Sequence, residues 1–283
     1  MEIKNVGIVG CGIMGSGIAQ VCAQSGYQVI VSEINNELLN KGLASIDSFL
    51  SKSIERGKIT EKDKQVTIAR IKGTTNMKDF NECDLVIEAA TENRDVKKKI
   101  FIDLDRICPK QSILATNTSA QSVIDMASVT GRPDKVLGLH FFNPAPIMKL
   151  LEIVRTIVTS DETLETAKNF GRSIGKSVVI APDTPGFIVN RLLTPFLVNA
   201  MRMLETGVAT KEDIDTAVTL GLNHPMGPFR LLDFGGLDTF VEACNAKYEE
   251  FKEIQYAPPV ILKKMVAAGF NGRKNGKGFY EYK

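Results

Sequence analysis

The chain has 283 residues, 43% of them hydrophobic and 24% charged, with a formal net charge of +2. So small a charge imbalance implies no broad basic face for nucleic acid, and no apolar run is long enough to span a bilayer. The five cysteines, Cys11, Cys22, Cys83, Cys108 and Cys244, make no CxxC pair; that odd, unpaired set argues against a disulfide framework or a metal site and suits a reducing compartment. The opening "MEIKNVGIVG" already reads as a strand and not as a basic segment before a cleavage site, so the expected location is cytoplasmic. From there the first two thirds alternate short apolar runs with helical patterns. "VGIVG" (6–10), "QVIVSE" (28–33), "DLVIEAA" (84–90), "SILATN" (112–117) and "KVLGLHFF" (135–142) read as strands. Their near-continuous Val, Ile and Leu content is that of parallel strands covered on both faces. The segments between them carry helical spacing, as in Val96, Ile100, Leu104 and Ile107. The polar stretch over about residues 36–70 predicts a helical hairpin inserted into the sheet.

Near Asp183 the pattern changes. Pro182, Pro185 and Gly186 interrupt regular structure, and helical patterns dominate afterwards. "FIVNRLLTPFLVNAMRMLETG" (187–207) is apolar on nearly every side and predicts a buried helix that Pro195 kinks and Gly207 stops. The expected architecture is therefore α/β: a doubly wound, Rossmann-type sheet domain over 1–183 and an all-α domain over 184–283.

Between the first strand and first helix, "VGIVGCGIMGSGIAQ" holds Gly10, Gly12 and Gly15 in GxGxxG spacing. Gly10 permits the tight turn, Gly12 lets backbone approach a pyrophosphate, and Gly15 lets helix and strand pack closely. Free N–H groups of the helix start, around Ile13 and Met14, would receive the phosphates. Glu33, about twenty residues on at the end of the second strand, is placed to bind an adenosine ribose 2′-hydroxyl. A carboxylate there repels a 2′-phosphate, which favours NAD over NADP. Glycines also make simple tight turns, and Glu33 could be a solvated strand end. Here strand, helix and acid occur together, which points to a dinucleotide.

Ligands of such sheets bind beyond the carboxyl ends of the strands. Ala90, Glu92, Asn117, Ser119, His140 and Asn143 all fall there. His140 is one of only two histidines. A histidine is the side chain type suited to acid–base work near neutral pH, although a hydrogen-bonded core histidine would read the same way. Positions 140 and 152 are equidistant from Pro146. If "NPAPIM" turns and "KLLEIV" returns antiparallel, Glu152 faces His140, fixes its tautomer and stabilises the imidazolium. The competing reading makes Glu152 a surface strand residue and Ser119 a helix cap. His224 lies in a Pro/Gly-rich connection and reads as structural. Phe187, Phe196 and Met203 read as core or subunit interface.

Taken together, these motifs resemble the short-chain L-3-hydroxyacyl-CoA dehydrogenase family, in particular its single-function bacterial 3-hydroxybutyryl-CoA dehydrogenases. The resemblance runs over essentially the whole chain, through the glycine-rich turn, "ATNTSA", "HFFNPAPIMKLLEIV", "DTPGFIVNRLLTPF", "GPFRLLDFGGLD" and "NGRKNGKGFYEY". It implies NAD-dependent interconversion of a 3-hydroxyacyl-CoA, such as 3-hydroxybutyryl-CoA, and its 3-keto form, acetoacetyl-CoA. His140 would be the acid–base residue, Glu152 its partner, and Ser119 and Asn190 the groups that hydrogen-bond substrate. Glu92, Lys97, Asn143 and Lys274 would approach the cofactor. Lys52 and Arg56, one helical turn apart on the hairpin, would meet the 3′-phospho-ADP of coenzyme A; two cations on one face equally suit plain solvent. The resemblance also implies a homodimer through the second domain. Two other functions fit parts of the pattern. One is a dehydrogenase of a small free 3-hydroxy acid, which would use a lysine base in the second domain. The other is a crystallin-like binding protein that keeps the dinucleotide site without turnover.

Overall fold

A computed structural model describes residues 2–119 and 121–282. The chain divides into two compact units, Met1–Thr184 and Pro185–Lys283.

The first unit is built on one eight-stranded sheet: β1 (Asn5–Val9), β2 (Gln28–Ser32), β3 (Ile71–Thr74), β4 (Leu85–Glu88), β5 (Ile113–Thr116), β6 (Val136–Phe141), β7 (Leu150–Arg155) and β8 (Ser177–Pro182). Their order is β3-β2-β1-β4-β5-β6-β7-β8, parallel except for the antiparallel β6–β7 pair. The five apolar runs correspond to β1, β2, β4, β5 and β6, whose core positions are almost fully buried. Burial on both faces removes the need for alternation, which is why these runs stand out. Three further strands complete the sheet. β3 is the four-residue "IKGT", too short and glycine-interrupted to show a period. β7 is the returning strand of the 140/152 hairpin. β8 is an edge strand that ends at Pro182, a position a ladder tolerates only at an edge.

The helices α1 (Ile13–Gln24), α2 (Asn36–Glu55), α3 (Glu61–Ala69), α4 (Arg94–Ile107), α5 (Val123–Ala127) and α6 (Asp161–Ser173) connect the strands. The hairpin over 36–70 is α2 and α3. Asn35 caps the first, and a reciprocal Thr60–Asp63 capping box starts the second. The buried face of α4 differs from the apolar stripe that its sequence suggests. Val96 is 44% exposed, while Lys97, Phe101 and Leu104 are buried. The lysine turns inward because a buried carboxylate awaits it, as described below. α5 is not capped by Ser119. Asp183 caps it, its carboxylate accepting hydrogen bonds from Val123 N (2.9 Å) and Ile124 N (2.7 Å).

The second unit consists of α7 (Val189–Glu205), α8 (Lys211–Gly221), α9 (Pro228–Gly235), α10 (Leu237–Phe251) and α11 (Val260–Ala267) around Leu197, Val198, Met201, Phe229, Leu237 and Leu262. Gly207 follows α7 with φ +70°, and Val208 N returns to Met203 O at 3.0 Å, a left-handed stop. α7 is not buried all round: Leu192 is 71% exposed and Met203 41%. A small helical unit has core for one side only of such a helix. Fully buried Asp233 anchors the C-terminal tail by accepting from Phe279 N and Tyr280 N, each at 2.8 Å.

Candidate active site

The glycine-rich turn has the shape that a pyrophosphate requires. Gly10 has φ +94°, and a Cβ on it would lie 2.7 Å from Ala89 O. A Cβ on Gly15 would lie 1.9 Å from Gly10 O, so only glycine lets α1 approach β1 this closely. Above Gly12 a Cβ would meet nothing within 4 Å. Gly12 is the N-cap of α1 and supplies no side-chain cap, and the first turn carries no acid. An open space faces helix N–H groups that no side chain of α1 claims, which suits an anion. Glu33 Oε1 accepts Cys11 N at 2.8 Å and Oε2 accepts Ile34 N at 3.0 Å, which holds this carboxylate beside the turn. The residues therefore fit an NAD adenosine and pyrophosphate. Burial, and secondarily Glu33, push the Cys11 thiol up to about 11, so it adds no negative charge there.

At the carboxyl ends of β4 and β5 lies a network that the sequence reading missed in part. Glu88, fully buried, accepts Lys97 Nζ at 2.6 Å, Thr116 Oγ1 at 2.8 Å and Ala90 N at 2.9 Å. Lys97 is 2% exposed, and its Nζ also lies 3.8 Å from Glu92. Glu92 in turn accepts Ser119 N at 3.0 Å, Ser119 Oγ at 3.3 Å and Thr118 Oγ1 at 2.7 Å. Ser119 is thus held by the carboxylate next to it. Asn117 Oδ1 accepts Phe141 N at 2.9 Å and ties this loop to β6. The overlooked members are Glu88 and Thr116. Their signal was a carboxylate closing the apolar run "DLVIE" with a lysine two to three turns downstream. Breaking a buried ion pair by removing one partner costs about 3–5 kcal/mol, because a charge is then left unpaired.

β6 and β7 pair so that His140 stands opposite Glu152. His140 Nδ1 lies 2.7 Å from Glu152 Oε2, with the residues 5% and 0% exposed. The Phe142 ring packs on the imidazole at 4.6 Å between centroids. Asn143 follows at the exposed start of the turn and precedes Pro144 through a cis peptide bond. Lys52 and Arg56 are exposed at the end of α2.

The remaining expected residues belong to the second unit. Asn190 sits in the first turn of α7, where its carbonyl accepts Thr194 Oγ1 at 2.7 Å. Lys274 pairs with Asp238. His224 is exposed, with Phe196 5.5 Å from its ring.

Residues 5–184 match the 3-hydroxyacyl-CoA dehydrogenase NAD binding domain, and residues 186–282 match the 3-hydroxyacyl-CoA dehydrogenase C-terminal domain. A 3-hydroxybutyryl-CoA dehydrogenase of Mycobacterium tuberculosis is 45% identical over 282 residues, 99% of each chain. A probable 3-hydroxybutyryl-CoA dehydrogenase of Bacillus subtilis is 42% identical over 100% of this chain and 98% of its own. The crystal structure of (S)-3-hydroxybutyryl-CoA dehydrogenase from Ralstonia eutropha superposes with a TM-score of 0.97 at 44% identity, covering 100% of both chains.

Proposed function

The chain belongs to the 3-hydroxyacyl-CoA dehydrogenase family, and from that premise we propose that it interconverts (S)-3-hydroxybutyryl-CoA and acetoacetyl-CoA, with His140 and Glu152 as its acid–base pair. It is an NAD-binding oxidoreductase. The observation that carries the proposal is the buried 2.7 Å contact of His140 Nδ1 with Glu152.

NAD, when bound, supplies the acceptor of hydride in the oxidative direction and its donor in the reductive one. The protein's own part is proton transfer and placement. Glu152 keeps the Nδ1 proton on its side of the ring, so Nε2 is the nitrogen that exchanges a proton with the substrate. In oxidation, Nε2 takes the 3-hydroxyl proton, and the Glu152 carboxylate stabilises the imidazolium that forms. In reduction, the same proton returns to the 3-keto oxygen. A positioned acid or base of this kind contributes about 10²–10⁴ in rate. Ser119, fixed by Glu92, is assigned to the substrate oxygen. Glu33 is assigned to the adenosine ribose, and Gly10–Gly15 to the pyrophosphate. Lys52 and Arg56 are assigned to the 3′-phospho-ADP of coenzyme A.

The exposed apolar face of α7 and α8 is assigned to a second copy of the chain. Met203 opens to solvent there in a cleft that Phe196 and Ala200 of α7 line together with Ile214 and Val218 of α8, and Leu192 and Leu220 of the same two helices are exposed as well.

The test is oxidation of NADH with acetoacetyl-CoA against free acetoacetate. Turnover of the thioester alone is the expected result. Equal turnover of the free acid would overturn the substrate assignment, and no turnover of either would leave a dinucleotide-binding protein.

A further inference from the structure

Lys176 precedes β8 and is 9% exposed, yet no carboxylate of the described residues pairs with it. Burying an ammonium without a counter-ion is expensive unless hydrogen bonds satisfy it. Its Nζ donates to two carbonyls of one turn, Ala145 O at 2.6 Å and Met148 O at 2.7 Å. That turn is a single helical loop, in which Ile147 N and Met148 N both return to Pro144 O, at 2.9 and 3.0 Å. A cation at the carbonyl end of such a turn satisfies groups that would otherwise be orphaned and favours its dipole. Burial also lowers the Lys176 pKa, with Lys149 acting in the same direction and Cys22 opposing.

The clamped turn faces the dinucleotide helix. A Cβ on Gly17 of α1 would lie 3.2 Å from both Ala145 Cβ and Pro146 Cδ, so the turn rests directly on α1. Ile13, Ser16 and Gly17 line a cleft together with Asn143 and Pro144. The His140–Glu152 pairing is registered by the β6–β7 ladder itself and does not need this clamp. Asn143 and the spacing to α1 have no ladder to hold them.

We propose that Lys176 is a positioning residue for the cofactor: by gripping Ala145 O and Met148 O it sets the 143–148 turn against α1, and with it Asn143. This inference rests on the reading that Asn143 and the glycine-rich turn receive NAD. It assigns Lys176 no contact with cofactor or substrate.

The experiment is NADH titration by nucleotide fluorescence, with steady-state kinetics, on the wild type, Lys176→Met, Lys176→Gln and Lys176→Arg. Leu164→Ala serves as the control, since it removes a buried side chain of α6 from the same unit and leaves both Lys176 hydrogen bonds to the turn in place. For Lys176→Met, the NADH Kd and KM should rise about tenfold, while kcat at saturating NADH falls less than threefold and the acetoacetyl-CoA KM stays within twofold. Lys176→Arg should recover part of the affinity, and Leu164→Ala should bind NADH as the wild type does. If Lys176→Met does not fold, Lys176→Gln, which loses the charge but keeps an amide donor, carries the same comparison. Wild-type affinity in the neutral variants, or a loss shared equally by Leu164→Ala, would overturn the inference alone. A wild type that fails to bind NADH would sink the underlying reading and this inference with it.

Discussion

Glu33, the residue after β2, holds the backbone of Cys11 in the glycine-rich turn through a 2.8 Å hydrogen bond to its Oε1. The acid is therefore not a loose strand end. Its charge is fixed beside the open space above Gly12, and a 2′-phosphate entering that region would meet it directly.

Catalytic efficiency with NADH should exceed that with NADPH by about tenfold or more, equivalent to about 1.4 kcal/mol. Glu33→Gln keeps an acceptor for Cys11 N while removing the charge. The preference should shrink in that variant without loss of the folded state. Equal efficiencies of the wild type with both cofactors would show that Glu33 does not govern the ribose.

Asp105 and Arg132 predict a pH dependence of stability. Burial pushes the Asp105 carboxyl up, but the Gly131 N–H, the Arg132 hydrogen bond and the Arg132 charge outweigh it and hold the pKa below the usual carboxylate value. Asp105 Oδ1 lies 2.7 Å from Arg132 Nε, and the arginine is almost fully buried. A carboxyl with a lowered folded-state pKa adds stability that is fully present above its unfolded value, about 3.9, and is lost as pH falls through the folded value. Asp105→Asn should therefore cost about 1.5–3 kcal/mol at pH 7, the scale of a charge-assisted hydrogen bond. The gap to wild type should close as pH drops below about 4. Thermal melts of both proteins at pH 7 and in mild acid check this; a gap that stays constant would contradict it.

Much of the architecture was readable because burial on both faces writes itself into sequence. β1, β2, β4, β5 and β6 are near-continuous apolar runs, and the GxGxxG spacing is forced by a Cβ-free approach of Gly15 to Gly10 O. The 140/152 pairing was readable for a different reason: an antiparallel hairpin relates positions symmetrically about its turn. β3 and β8 were not readable: Lys72 and Gly73 break the apolar run in β3, and the apolar stretch of β8 leads straight into the proline-rich boundary at Pro182 and Pro185. Lys97 misled the reading of α4, since a buried lysine breaks the apolar stripe and its partner Glu88 lies in a different element. Ser119 could be singled out by its place after β5, but its grip by Glu92 depends on two loops meeting, which no local pattern encodes.

The exposed stripe on α7 predicts assembly. Leu192, Phe196, Met203 and their neighbours follow helical spacing, and Leu220 of α8 is 79% exposed. Exposed apolar residues grouped around a cleft, as at Phe196, Met203 and Val218, mark an interaction surface. The protein should be a dimer at micromolar concentration by light scattering, and Leu192→Glu combined with Leu220→Glu should shift it toward monomer. A monomeric wild type would rule out this use of the face.

Replacing His140 with Gln separates the two meanings of a buried histidine. If His140 is the acid–base residue, NADH affinity should stay nearly unchanged, because the pyrophosphate is assigned to the turn at Gly10–Gly15 and not to β6. Turnover should fall by about a hundredfold to ten-thousandfold. Glu152→Gln should also lower turnover, since a neutral amide cannot stabilise the imidazolium across the 2.7 Å contact. The double variant should be little worse than His140→Gln, because residues that act as a unit lose their function together. A histidine serving only the core behaves otherwise: the variant melts at lower temperature, while each folded molecule turns over normally. Thermal melting together with turnover per folded molecule distinguishes these outcomes. Normal turnover in folded His140→Gln would remove the pair from the mechanism, whatever the geometry of β6 and β7.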